Sequence, residues 1–210
     1  LSDNISVSNE TTVFGRGIVM QPRKGMGRED VDPLDGEEWA RILDHSGSGV
    51  MFALSENKLH LIRLRERPGV ANQALGARVY FGEDLSKREV VAEPLGMTRY
   101  RDLPNRAQTD MAEVIANIIR DLPEAYLSFY NRAGNLSLKM HAFELLQGVG
   151  PRKAREMVEA RGRKGWSDLA ALDSSCNINS AELLAERLAM ELADNKLEPR
   201  LVDLLLRQEG

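Results

Sequence analysis

The run Leu145-Leu146-Gln147-Gly148-Val149-Gly150-Pro151-Arg152-Lys153-Ala154-Arg155 holds the residue types from which an anion site can be built. Glycines at 148 and 150 can take backbone angles that a Cβ would penalise. Val149 between them can point inward and pin the turn to a core. Pro151 suits the first position of a new helix, where its missing N–H costs nothing. The free N–H groups of that helix start, at the positive end of its dipole, then face outward toward an anion, phosphate above all. Arg152, Lys153 and Arg155 add charge at the same spot, and Arg163 and Lys164 follow in a basic loop. A Gly-x-Gly turn is by itself a common helix–helix connection. The leucines before it, small Ala154 after it and the continuing apolar pair Met157 and Val158 point further, to a helix-hairpin-helix motif. Such a motif grips a nucleic-acid backbone without reading bases.

A second basic element is Leu59–Arg67, in which Arg63, Arg65 and Arg67 alternate with Ile62 and Leu64. Alternation in a strand places the three arginines on one face. Other chemistry is not suggested. No phosphate-binding loop ending in Gly-Lys-Ser/Thr occurs, and Lys24-Gly25-Met26-Gly27-Arg28 lacks the hydroxyl. His45, His60 and His141 form no metal-ligand spacing with Cys176, and no nucleophile has a recognisable base motif. The expectation is a non-catalytic protein with no cofactor and no bound metal. Trp39 and Trp166 can each either stack on bases or fill a core, and packing is the favoured role for both.

The composition sets the frame for these sites. The chain has 210 residues, 42% hydrophobic and 29% charged, which is ordinary for a globular protein. No apolar run approaches the roughly 20 residues of a membrane helix, so no membrane partner is expected. The single cysteine, Cys176, excludes an internal disulfide and fits a reducing cytoplasm. A net charge of −4 speaks mildly against a polyanionic partner, but the charge is uneven. Residues 147–165 hold six basic residues against Glu156 and Glu159, and residues 13–28 hold Arg16, Arg23, Lys24 and Arg28 with no acid. Local patches, not the total, attract a polyanion.

Three segments position these residues. Residues 1–35 read as a basic flexible arm, with one candidate strand over Val13–Met20. Residues 36–105 read as β: Trp39–Asp44, Val50–Leu54, Leu59–Arg67, Arg78–Gly82 and Arg88–Ala92. Five short strands with intervening turns suggest an OB-like barrel. Residues 106–210 read as an all-helical domain, giving an α+β chain. Asp110 with Glu113, and Asn179 with Glu182, have capping-box spacing. They would open helices through Met111–Arg120 and on to Leu192. Pro123 opens another helix, Ser137 would cap Leu138–Leu146, and the hairpin at 147–151 leads into Pro151–Arg161. Trp166–Leu169 reads as a short helix start, and Leu201–Arg207 fits a strand or a helix. Ser175–Ser180 reads as a second, decayed hairpin. In it Ile178 replaces Val149 and no basic residue follows, so it supports the fold more than it binds phosphate.

With these elements in place, the chain resembles the archaeal family catalogued as domain of unknown function six-five-five, described as nucleic-acid-binding. The resemblance spans about residues 37–195. It rests on Glu38-Trp39-Ala40-Arg41-Ile42-Leu43-Asp44 and Arg78-Val79-Tyr80-Phe81-Gly82. More specific are Phe129-Tyr130-Asn131-Arg132-Ala133 and His141-Ala142-Phe143-Glu144-Leu145-Leu146-Gln147-Gly148-Val149-Gly150. It implies an OB-like barrel joined to a paired helix-hairpin-helix unit, and genes lying near those of translation and the ribosome. The expected partner is therefore structured RNA, ribosomal RNA included, with ribosomal proteins as companions. The second hairpin departs from the pattern by lacking glycine, which speaks against a symmetrical two-strand grip. The alternatives are an accessory protein for branched or single-stranded DNA in repair, and a protein–protein scaffold.

Overall fold

Alternation is what organises the first half of the molecule. In β3 (Leu61–Glu66) Ile62 and Leu64 are fully buried while Arg63 and Arg65 are exposed. The strand pairs with β2 (Val50–Ser55) and β5 (Val91–Met97), and β2 pairs with β1 (Trp39–Ser46), which pairs with β4 (Arg78–Tyr80). All pairs are antiparallel, in the order β4-β1-β2-β3-β5. The sheet curls into a half-barrel, so the chain is a mixed α+β protein. This computed structural model describes residues 32–207. The expected strand Val13–Met20 and the cations Arg16, Arg23, Lys24 and Arg28 lie outside the described residues.

Four of the five expected strands recur in place. The fifth begins three residues later than Arg88–Ala92 suggests, at Val91, and runs to Met97. Pro94 and Gly96 break its alternation in the sequence. β5 is an edge strand, where a proline is tolerated; Pro94 lies opposite Leu64, between two register shifts. Arg67 lies past the end of β3, so only Arg63 and Arg65 share its exposed face.

One side of the sheet is apolar throughout, and the other is apolar where it meets the helices. Ala40, Ile42, Met51, Ala53, Ile62, Leu64 and Val79 form a cluster with Phe81 and Val91. Leu43 lies at a register shift in β1 between Ile42 and Asp44, and alternation puts it on the face opposite Ile42. Leu43, Leu54 and Leu61 then join a second cluster built mainly from helices.

Those helices are α1 (Asn105–Thr109), α2 (Met111–Asp121), α3 (Pro123–Arg132), α4 (Pro151–Arg161), α5 (Leu169–Cys176), α6 (Ser180–Ala193) and α7 (Leu201–Leu206). Val114, Ile115 and Ile118 of α2 recur at helical spacing and are fully buried, as are Leu184 and Leu188 of α6. Residues 34–207 share this core, and the change from strands to helices near residue 105 falls within it.

Three helix starts differ from their sequence patterns. Neither Asp110 nor Asn179 makes a side-chain cap bond. The expected helix Leu138–Leu146 is instead a small antiparallel hairpin, β6 (Asn135–Ser137) with β7 (Met140–His141), followed by a 3-10 turn, Ala142–Leu145. The start is moved by His141. Its Nδ1 accepts from Phe143 N at 3.1 Å, and Glu144 Oε1 accepts from His141 N at 2.8 Å, a capping box with imidazole as the first acceptor. The tail, open between strand and helix, is the helix α7.

Candidate nucleic-acid interface

The turn before α4 is set by one glycine and one valine. Gly148 has φ +78°, where a side chain would strain the backbone although nothing lies near its Cβ position. Val149 is 6% exposed, and its N–H donates to Leu146 O at 3.1 Å. Gly150 departs from the sequence expectation. Its φ of −85° and ψ of 177° are extended backbone open to any residue, and the space around it is free. Pro151 occupies the first helical position, and Ala154 N donates back to Gly150 O at 2.9 Å. Ala154 and Met157 are buried beneath, which seats α4 on the core. Among the described residues, the N–H groups of Gly148, Gly150, Arg152 and Lys153 find no acceptor.

The cations around that opening divide into two sets. Arg155, Arg163 and Lys164 are exposed and carry no ion pair among the described residues. Arg152, 94% exposed at its side chain, makes only an i,i+4 pair with Glu156, Nε to Oε1 at 3.1 Å. Such a pair is worth less than about 1 kcal/mol and yields readily to a stronger anion. Lys153 differs from the other members of the predicted set: its ammonium donates to Cys176 O, at the last turn of α5. There it satisfies a helix-end carbonyl. Arg161, counted in the basic run, likewise turns inward and donates to Tyr130 O at 3.1 Å and to Ala133 O at 2.6 Å.

The loop carrying Arg163 and Lys164 is anchored by Asn131. Its Nδ2 donates to Trp166 O at 3.0 Å and its Oδ1 accepts from Trp166 N at 2.8 Å. A Cβ at Gly165, φ +72°, would sit 2.6 Å from that Oδ1, so only glycine fits. Trp166 is 7% exposed and donates from Nε1 to Ser175 Oγ at 2.7 Å; it is a packing residue, as expected. Trp39 is half-buried, edge-on to Tyr80 with ring centres 5.1 Å apart and with the Arg78 guanidinium 4.0 Å above its ring.

The turn before α6 follows the order of the first, with the same left-handed start and a different approach to the helix. Asn177 has φ +49°, matching Gly148, and Asn179 is the residue before the helix, matching Gly150. Ile178 between them packs against the helical core. Its surroundings differ. Asp173 Oδ1 accepts from Ser180 N at 2.8 Å, so a carboxylate of the chain itself occupies this helix start. Ala181 is buried where Arg152 is exposed, and Glu182, in the place of Lys153, pairs with Arg120. Tyr130 spans the two units: its hydroxyl donates to Ser180 O at 2.7 Å while its carbonyl accepts from Arg161. Burial pushes its phenol far above the usual range, with Asp173 adding to the shift. The sequence offered no signal for Asp173, whose role depends on a turn bringing it back to residue 180.

The strand arginines do not act together. Arg63 is exposed with no ion pair among the described residues, Arg65 is paired with Glu93 at 3.0 Å, and Arg67 donates to Val91 O and Leu85 O, each at 3.4 Å. No cluster of metal-ligating side chains occurs among the described residues, and none of their helices is long and apolar enough to cross a membrane.

Comparison with known proteins gives a consistent result. A sequence model of the family described as "Protein of unknown function (DUF655)" matches residues 35–201. An uncharacterized protein of Methanocaldococcus jannaschii is 23% identical over 172 residues, which cover 78% of each chain. A crystal structure from Archaeoglobus fulgidus, assigned to the same family, superposes with a TM-score of 0.68 at 24% identity, covering 79% of this chain and 99% of that one. At that identity the likeness speaks for the fold.

Proposed function

The chain belongs to the DUF655 family of proteins of unknown function, and we propose that it binds the sugar–phosphate backbone of nucleic acid, structured RNA in the first place, without catalysing a reaction. The open helix start at Gly148–Lys153 carries this reading. Its unpaired N–H groups sit beside Arg152, Arg155, Arg163 and Lys164, a donor set suited to phosphate oxygens. Under it, Ala142–Arg161 and Leu169–Ala193 form a pair of helix-hairpin-helix units. The half-barrel is then an OB-like barrel opened between β4 and β5. Lys153 drops out of the contact set, because its ammonium already holds α5. RNA is favoured over DNA by the translation setting that the family resemblance implies, and a cytoplasmic location goes with it.

The test is binding of an RNA hairpin, and of a DNA duplex of matched length, over a range of salt concentrations. Arg152→Ala with Arg155→Ala should weaken both probes about tenfold or more without changing the thermal midpoint. The log–log salt slope should fall by about 1 to 2, since each lost phosphate contact retains roughly 0.7–0.9 of a counterion. An unchanged slope removes this helix start from the interface. Equal affinity for DNA and RNA, together with recovery of genomic DNA in cellular crosslinking, would replace RNA by DNA as the partner.

A further inference from the structure

Away from α4, a cleft of about 590 Å³ opens where the end of β5 meets α6 and α7. Its walls include His60, Arg99, Tyr100, Arg101, Arg200 and Arg207. A second hollow of about 530 Å³ shares Met97, Thr98 and Arg99 with it and extends along the sheet to Phe52 and Arg63. The two form one track from β3 to α7.

The track is cationic. Arg63 and Arg99 have no acidic partner among the described residues, and Arg101 has only its neighbour Asp102, at 3.9 Å. Arg200 and Arg207 share one carboxylate, Asp203, and also hold backbone carbonyls, Arg200 that of Glu191 at 3.0 Å and Arg207 those of Lys58 at 2.9 Å and Leu59 at 3.0 Å, so they lend charge to the wall but are not free donors. Glu191, though on the wall, is fully buried and spent: it accepts from Arg187 Nε at 2.7 Å and from Val202 N at 2.9 Å. Of the five guanidinium groups on this surface, those of Arg63, Arg99 and Arg101 are open to an anion, with Asp102 beside Arg101 as the one solvent-facing acid of the lining.

It also contains a buried polar side chain without a full set of partners. His60 is 8% exposed, and its Nδ1 has no hydrogen bond. Burial, then the nearby Arg207 and Lys58, lower its pKa to about 4, so the ring is neutral at pH 7. A buried polar atom of this kind calls for a partner, which water, an ion or a ligand can supply. Between the cations lie apolar surfaces: half-buried Phe52 and Tyr100, and exposed Met97.

We infer that this track binds single-stranded nucleic acid, with Arg63, Arg99 and Arg101 on the phosphates and the bases against Phe52, Met97 and Tyr100. Cations interleaved with aromatic faces are what unpaired strands require, because every base offers a stacking face. Hollows of this size accept splayed nucleotides but not a stacked double helix. The surface is additional to the helix start of α4, and it rests on the proposed function only in taking nucleic acid as the source of the anion.

The experiment uses the full chain and two fluorescent probes, an unstructured oligonucleotide of about eight uridines and a blunt RNA duplex. Both mutated residues, Arg63 and Arg99, are exposed and unpaired, so Arg63→Ala with Arg99→Ala should leave the thermal midpoint unchanged. It should weaken the single strand at least about tenfold and the duplex less than about twofold. Arg152→Ala with Arg155→Ala should show the reverse. No uridine binding by the wild type, or binding untouched by the Arg63/Arg99 change, overturns the inference whatever happens at α4. Loss of duplex binding to no variant, with single-strand binding lost only in Arg63/Arg99, keeps the track and discards the α4 reading. Displacement of the oligonucleotide by an equal concentration of an acidic octapeptide would overturn it in favour of a protein ligand.

Discussion

The turns before α4 and α6 share a left-handed residue and an inward anchor and differ in what surrounds them. Both place a left-handed residue and then an inward apolar residue two positions and one position before the residue that precedes the helix, Gly150 at ψ 177° in the first and Asn179 at ψ 89° in the second. At the first, the left-handed residue is Gly148, the donors are open and the flanking cations reach solvent. At the second it is Asn177, Asp173 occupies Ser180 N, and the helix start is buried against the rest of the core. Backbone conformation and readiness for an anion are thus separable properties. The first is maintained by a single residue of suitable φ and one apolar anchor. The second depends on whether the chain already supplies a carboxylate and whether the helix face is covered.

The sharpest way to break this equivalence is at the anchors. Val149→Asp should cost about 3 kcal/mol or more, because it buries a charge without a partner. Ile178→Asp, at a half-buried site, should cost about 1–2 kcal/mol less, since water still reaches the carboxylate. Denaturant unfolding of both variants checks the order, and a larger loss at 178 would reverse the roles assigned to the two turns. A smaller effect is expected at the left-handed residues. Gly148→Val should cost about 2 kcal/mol from strain alone, as no neighbour is hit. Gly150→Ala should change stability by less than about 0.5 kcal/mol, since its backbone suits any residue. Comparable losses at 148 and 150 would mean that the turn moves in solution. A further change tests the carboxylate. Asp173→Ala should cost about 1 kcal/mol, in the range of a lost helix cap. It should add no salt-dependent RNA binding, because Ala181 remains buried. A gain in binding would show that the second turn is held silent by its own aspartate alone.

Much of the scaffold was legible because it depends on local patterns. Arg63 and Arg65 alternate with Ile62 and Leu64, and that period alone fixes their face. Pro151 and Pro123 mark helix starts that the structure retains. The misreadings have local causes as well. Pro94 and Gly96 interrupt the pattern of β5, and His141 is a cap whose acceptor is an imidazole rather than a hydroxyl or carboxylate. The site is less legible because its sorting is long-range. Lys153 and Arg152 are adjacent and alike in sequence, yet one reaches Cys176 O, 23 residues on, and the other points to solvent. Arg65 meets Glu93, 28 residues on, in a strand pairing that spacing along the chain does not encode.

The loop of Arg163 and Lys164 has a kinetic consequence. Arg161 is tied to the end of α3 on one side, and Trp166 is tied to Asn131 on the other. Ordering a loop costs about 1–2 kcal/mol per residue in backbone entropy, and here folding has already met that cost. A partner of the proposed kind would therefore immobilise side chains only. The encounter needs no loop rearrangement, so its association rate should be set by diffusion and charge steering rather than by a conformational step.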